Sequence, residues 1–148
     1  MDVEGEFLLP ATPELVWQRL NDPAVLVHCI PGCVRMTRRD AHNFDCEIRV
    51  SYGFINATFM TLLALSNIRP PHSYTLTGRS QGGLAGFGEG VADVCLLAAA
   101  HGTTLHYAAR LSASGRIAQL GARLLSSTTR RLTEKFFAAF AASFVDEQ

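Results

Sequence analysis

Four cysteines, five histidines and a glycine run are the residues of this chain whose types and spacing could do chemistry. His28-Cys29-Ile30-Pro31-Gly32-Cys33 sets an imidazole and two thiols close together, as a metal cluster would. A structural zinc site pairs two such clusters, and neither Cys46 nor Cys95 brings a neighbouring ligand with it. The expected reading is a proline-glycine turn beside two structural thiols, with no metal. The C-x-x-x-C spacing also differs from the C-x-x-C that suits thiol exchange. Ser80 to Gly90, rich in glycine, invites a phosphate-loop reading, but no Lys-Ser or Lys-Thr follows and the run enters a strand instead of a helix. Phosphate needs the helix N-terminus behind its glycines. The glycines are expected to permit a bulge, with a slip of register between Phe87 and Asp93, or to let a ligand approach the backbone.

His42, His72 and His101 fall in predicted turns, and His106 shares the outward parity of Thr104, Ala108 and Arg110. With His28, they read as surface histidines. Asp45, Glu47 and Asp93 take the polar faces of their strands. Only a slipped strand would bring Arg79 or Glu89 inside. The inward parity offers Phe44, Ile48, Phe59, Thr61, Leu63, Tyr74, Leu76, Leu105 and Tyr107, and from the last helix Leu120, Leu124, Thr128 and Leu132. An apolar pocket with a few hydroxyls binds, and has little with which to catalyse. No catalytic residue is assigned; Tyr74 and Tyr107 are the expected hydrogen-bond donors to a ligand carbonyl.

The elements that must position these residues can be read from periodicity. Val3 to Leu9 is a strand with Val3, Gly5, Phe7 and Leu9 on one face. Thr12-Pro13-Glu14 supplies an N-cap hydroxyl, a first-turn proline and an acid, so a short helix follows, and Asn21-Asp22-Pro23 begins a second, Ala24 to His28. From Pro31-Gly32 the period is two. Val34 and Met36 alternate with Arg35; Phe44, Cys46, Ile48 and Val50 share a face. A turn near Tyr52-Gly53 leads to a strand from Ile55 through Leu65, Asn67 to His72 is a loop, and Ser73 through Arg79, Val91 to Leu97 and Thr103 to Leu111 complete the sheet. Cys46 and Cys95 read as small core residues. From Arg116 onward the period is helical, with Ile117, Leu120, Leu124, Leu132, Phe136, Phe140 and Phe144 at threes and fours. Strands followed by one segregated helix predict an α+β domain over residues 1–148: a curved antiparallel sheet of about six to seven strands wrapped around a long C-terminal helix, with two short helices after the first strand.

The formal net charge is zero, so no long-range pull toward nucleic acid is expected. Charges are segregated, however, with residues 1 to 22 at net −4 and residues 116 to 135 at net +4. Arg116, Arg123, Arg130, Arg131 and Lys135 form a basic stripe, a solvated face or a docking patch for a membrane surface or partner. Twelve arginines against one lysine reflect genome composition. The acidic N-terminus lacks the form of a secretory signal, and no apolar run reaches the length of a membrane span. A cytoplasmic protein with reduced thiols is expected, peripheral at the inner membrane surface at most, since the chain closes at Asp146-Glu147-Gln148 without an anchor.

Several segments in combination resemble a family. Asn21-Asp22-Pro23, Cys29-Ile30-Pro31-Gly32-Cys33, Ala85-Gly86-Phe87, Gly102-Thr103 with Leu105 and Tyr107, Ile117-Ala118-Gln119-Leu120-Gly121 with Arg123-Leu124, and Phe136-Phe137 are similar to the CoxG family of carbon monoxide dehydrogenase subunits, within the START and birch-pollen-allergen superfamily of helix-grip folds. The chain departs from that pattern at Phe54 and at Ser114-Gly115-Arg116. The resemblance implies a non-catalytic accessory protein for a molybdenum hydroxylase of the carbon monoxide dehydrogenase type, linked to membrane recruitment or electron delivery. It has no resident cofactor and carries an apolar lipid-like molecule, for which a quinone fits. Two rivals remain open on the same fold: a polyketide cyclase or hydrolase kind of enzyme, and an interaction module whose cavity its own side chains fill.

Overall fold

The computed structural model describes residues 1–145. The closing Asp146-Glu147-Gln148, read above as an end without an anchor, lies outside the described residues. In chain order the elements are β1 (Asp2–Leu9), α1 (Pro13–Leu20), α2 (Pro23–Cys29), β2 (Cys33–Arg38), β3 (Asn43–Tyr52), β4 (Ile55–Arg69), β5 (Ser73–Gln81), β6 (Phe87–Ala99), β7 (Gly102–Ser114) and α3 (Ala122–Val145). Two short 3-10 turns, Gly83–Ala85 and Gly115–Leu120, precede β6 and α3. The strands form one antiparallel sheet in the order β1-β7-β6-β5-β4-β3-β2. Its concave face is covered by the helices, the helix-grip arrangement.

Local chemistry starts the helices where the sequence places them. The Thr12 hydroxyl accepts from the Leu15 N–H at 3.3 Å and Pro13 opens α1; the Asp22 carboxylate accepts from the Ala24 N–H at 3.0 Å and Pro23 opens α2. Each cap satisfies a donor that the first turn would leave bare. Leu9, Val16, Leu105 and Phe140 are buried at the centre of the core. The end of α3 is held by an aromatic ladder: Phe7 stacks on Phe137 with centroids 4.1 Å apart, and Phe140 meets Phe136 and Phe144 at 5.7 and 5.1 Å. Arg19 is buried beside this ladder, donating to the Ser143 carbonyl at 2.9 Å with its guanidinium 4.8 Å from the Phe144 ring centroid. That contact ties α1 to the last turn of α3 and supplies a donor to a helix-terminal carbonyl.

The structure corrects several expectations. β4 continues through the expected loop as far as Arg69, because a register shift between Ser66 and Arg69, with Asn67 at φ 51°, absorbs the irregularity without ending the strand. A bulge between Cys33 and Arg35 turns Val34 outward. No slip occurs in β6, which pairs with β7 without interruption from Phe87↔Ser114 to Ala99↔Gly102. Phe87 therefore faces water, and Glu89 meets Arg79 at 3.8 Å on the outer face. The same parity places Cys95 outside with Asp93, while Val94 and Leu96 point in. The segment after β7 is not one helix from Arg116. Gly121, at φ 89°, breaks it into the 3-10 turn and α3, in a conformation that glycine adopts without strain.

Candidate functional site

The aromatic half of α3 packs on α2 and β1, whereas its first three turns stand off the sheet. The space between is an inner chamber of about 380 Å³ that opens into an outer chamber of about 810 Å³. Thr61, Leu63, Leu76, Ala92, Leu111 and Thr129 border both, so the two are continuous. The outer floor is bare backbone, since Gly78 on β5 pairs with Gly90 on β6 and Gly88 follows the same inward parity. The glycine run thus removes side chains from the wall instead of bending the strand.

Of the residues singled out in the sequence, Thr61, Leu63, Tyr74, Leu76, Leu105 and Tyr107 line the inner chamber. Phe59 does not. It is buried beneath the loop after β5, where a Cβ on Gly82 would meet its ring at 2.5 Å. Leu120, Leu124, Thr128 and Leu132 are also off the wall. Leu120 lies against Gly53, Leu124 and Leu132 are exposed, and the Thr128 hydroxyl sits beside the Tyr52 phenol. The inner face of α3 is instead Leu125, Thr129, Thr133, Phe136 and Phe137. The break at Gly121 resets the helical phase, so a stripe started at Ile117 drifts off the buried face. Counting back by threes and fours from Phe144 and Phe140 reaches Thr133, Thr129 and Leu125. Their polarity hides these threonines from a hydropathy reading, yet each hydroxyl donates to the carbonyl four residues earlier, at 2.7 Å for Thr129 and 2.8 Å for Thr133, leaving a methyl to face the cavity. Leu20, Leu26 and Ile30, from the two short helices, close the far side.

The inner wall holds three titratable side chains, Cys46, Tyr74 and Tyr107, and all three keep their protons at neutral pH. Burial pushes the Cys46 thiol up to about 12, helped by Cys33 and Asp45 and opposed by the Thr61 hydroxyl. Tyr74 is raised by burial alone. Tyr107 is raised by burial first and by the Glu134 carboxylate, against the Thr133 hydroxyl beside it. The Thr61 hydroxyl shares a 2.7 Å hydrogen bond with Ser80. Tyr74, edge-on to Trp17 at 5.3 Å, has a ring contact but no hydrogen bond among the described residues, so its hydroxyl is a donor available to a ligand. The wall is apolar and uncharged, with donors and no base.

These shifts predict an alkaline limit. Each group binds its proton more tightly in the fold than in the unfolded chain. The stability it contributes is whole below the ordinary thiol value of 9.0 and is lost as pH climbs from there toward the folded value of about 12. The urea midpoint is expected to fall over this range, and Cys46→Ala to flatten the fall. A midpoint level across it would place the thiol in water.

The remaining candidates are dispersed. Among the described residues no three His, Cys, Asp or Glu gather to hold a metal ion. His28, His42, His72 and His101 are exposed and His106 is half-buried. The basic stripe is divided: Arg116 lies over Phe54, Arg131 donates to the Tyr52 hydroxyl at 3.0 Å, Arg130 lines a groove with the acids of β1, and Arg123 and Lys135 are exposed. No described helix is long and apolar enough to cross a membrane.

The model of the carbon monoxide dehydrogenase CoxG family matches residues 5–144. Among solved structures, a conserved protein from Geobacillus kaustophilus superposes with a TM-score of 0.91 at 24% identity, over 99% of this chain and 96% of that one. The allergen-named protein Ara h 8.0201 gives 0.72 at 13% identity, over 99% and 98%. The Zhui aromatase/cyclase from Streptomyces sp. R1128 gives 0.68 at 13%, over 97% and 92%. These likenesses are to the helix-grip fold. No curated protein sequence matches the chain.

Proposed function

From the CoxG family of carbon monoxide dehydrogenase subunits, to which this chain belongs, we propose that it is a non-catalytic carrier serving a molybdenum hydroxylase of the carbon monoxide dehydrogenase type. Its cargo is an apolar lipid-like molecule, a quinone being the example that fits. The observation that carries this reading is the chamber of about 380 Å³ between sheet and α3, walled by aliphatic and aromatic side chains and holding one buried, available phenol, Tyr74. A ligand whose ring carbonyl meets Tyr74 would extend its apolar chain toward the outer chamber. If about 300 Å² of ligand surface leaves water, the gross gain is roughly 7 kcal/mol. Ordering and association costs consume much of it, leaving affinity of micromolar order.

The cyclase on the same fold supplies the competing reading. Acid–base catalysis needs a group that changes protonation near the working pH, and the inner wall holds only protonated thiol and phenols. This supports binding over turnover. Native mass spectrometry of the purified protein with lipid extraction is the test. An added mass matching an extracted apolar molecule is expected; a bare chain with no extractable lipid would make the chamber an internal void of an interaction module.

A further inference from the structure

We propose that the end of the domain around the outer chamber docks on an anionic lipid bilayer, with Leu84 and Phe54 as the inserting side chains. Three segments meet there: the turn Gly83–Ala85, the hairpin between β3 and β4, and the turn Gly115–Leu120. Gly86 and Gly115 approach so closely that a Cβ on Gly115 would lie 2.7 Å from the Gly86 Cα. Arg116 stands 5.5 Å from the Phe54 ring centroid, and Leu120 lies against Gly53. At the tips of this surface Leu84 is 90% exposed and Phe54 50%. Neither side chain serves the core.

Charge selects the partner. The chain has no Asp or Glu from Ile48 to Gly88 and none from Ser112 to Thr133, so the segments that build this end bring Arg116 and Arg123 without carboxylates. The adjoining Glu89 faces Arg79 on the outer sheet surface. Apolar tips collared by cations match the boundary between headgroups and acyl chains of an anionic bilayer. An acidic protein surface would satisfy the arginines but leave Leu84 in water. The outer chamber opens at the same end, through Gly88, Ile117 and Ala122, so a docked domain presents its mouth to the lipid. The inference rests on the carrier reading for its purpose, while the docking itself needs no cargo.

The test uses the whole protein and vesicles of phosphatidylcholine with or without phosphatidylglycerol. Co-sedimentation at low salt is expected only with phosphatidylglycerol, and salt should weaken it. Leu84→Asp, or Arg116→Glu with Arg123→Glu, is expected to lower partition about tenfold, from the loss of one inserted apolar side chain or of two cationic contacts. Leu84→Trp emission should shift to the blue on these vesicles. The proposal fails if the wild type does not bind, if binding ignores these substitutions, or if the tryptophan stays in water while bound. It also fails if the variants lose a protein partner and vesicles are never bound. Native mass spectrometry of the same samples separates the two readings: docking by a protein that never carries lipid would overturn the carrier and leave the docking surface standing.

Discussion

The Ala92→Trp variant is expected to lose its apolar ligand while keeping its fold. Ala92 lies on β6 opposite Leu76 and Ala109, and its side chain borders both chambers. An indole there would project into existing space instead of a packed core, where overpacking costs about 1–3 kcal/mol. The room it takes is the room a ligand needs at the junction of the chambers. Affinity for a long-chain quinone probe should fall by about a hundredfold, or ~2.7 kcal/mol, with circular dichroism unchanged. Leu124→Asp makes the matched control. Leu124 is exposed and lines neither chamber, so the charge should leave retention intact. Ligand held equally by the wild type and folded Ala92→Trp would move the site elsewhere. Loss in Leu124→Asp with retention in Ala92→Trp would return it to the outer stripe that the leucine spacing suggests.

That contrast shows which part of the site was legible in sequence. On strands, parity is strict: one inward residue fixes those two places on for as long as the ladder is unbroken. Thr61, Leu63, Tyr74, Leu76, Leu105 and Tyr107 could therefore be placed from alternation, and Cys95 was misread only where the parity of Asp93 was not carried two residues further. A helix gives weaker constraint, because one glycine in a left-handed conformation resets its phase. Gly121 does this, and the leucines before it then point to the wrong side. Composition misled as well. Thr129 and Thr133 look like surface residues until their hydroxyls are seen to bond within the helix. The family could be recognised because its signature lies in turns and junctions, at Asn21-Asp22-Pro23, Pro31-Gly32 and Ala85-Gly86, where backbone geometry restricts the residue. The basic residues were legible as charge but not as a surface, since Arg116, Arg130 and Arg131 leave the helix in different directions.

Phe140→Ala is expected to be the most damaging single truncation in α3. Phe140 is 0% exposed, stacks on Phe136 and meets Phe144 edge-on, inside the ladder that Arg19 closes from α1. Removing a fully buried phenylalanine costs about 3–5 kcal/mol, a large share of the ~5–15 kcal/mol that holds a typical domain folded. Leu132→Ala, at a residue 44% exposed on the same helix, should change stability by no more than about 0.5 kcal/mol. Urea titrations with a shared slope would read both as shifts of midpoint. The asymmetry matters for function, because a helix anchored at its C-terminal half can lift its N-terminal half without global unfolding. Amide exchange should then be faster over residues 122–133 than over residues 136–144, and a bound ligand touching Leu125 and Thr129 should slow the first segment selectively. Equal costs for the two truncations, or exchange uniform along α3, would mean that the helix is held along its whole length and that the outer chamber is a fixed opening.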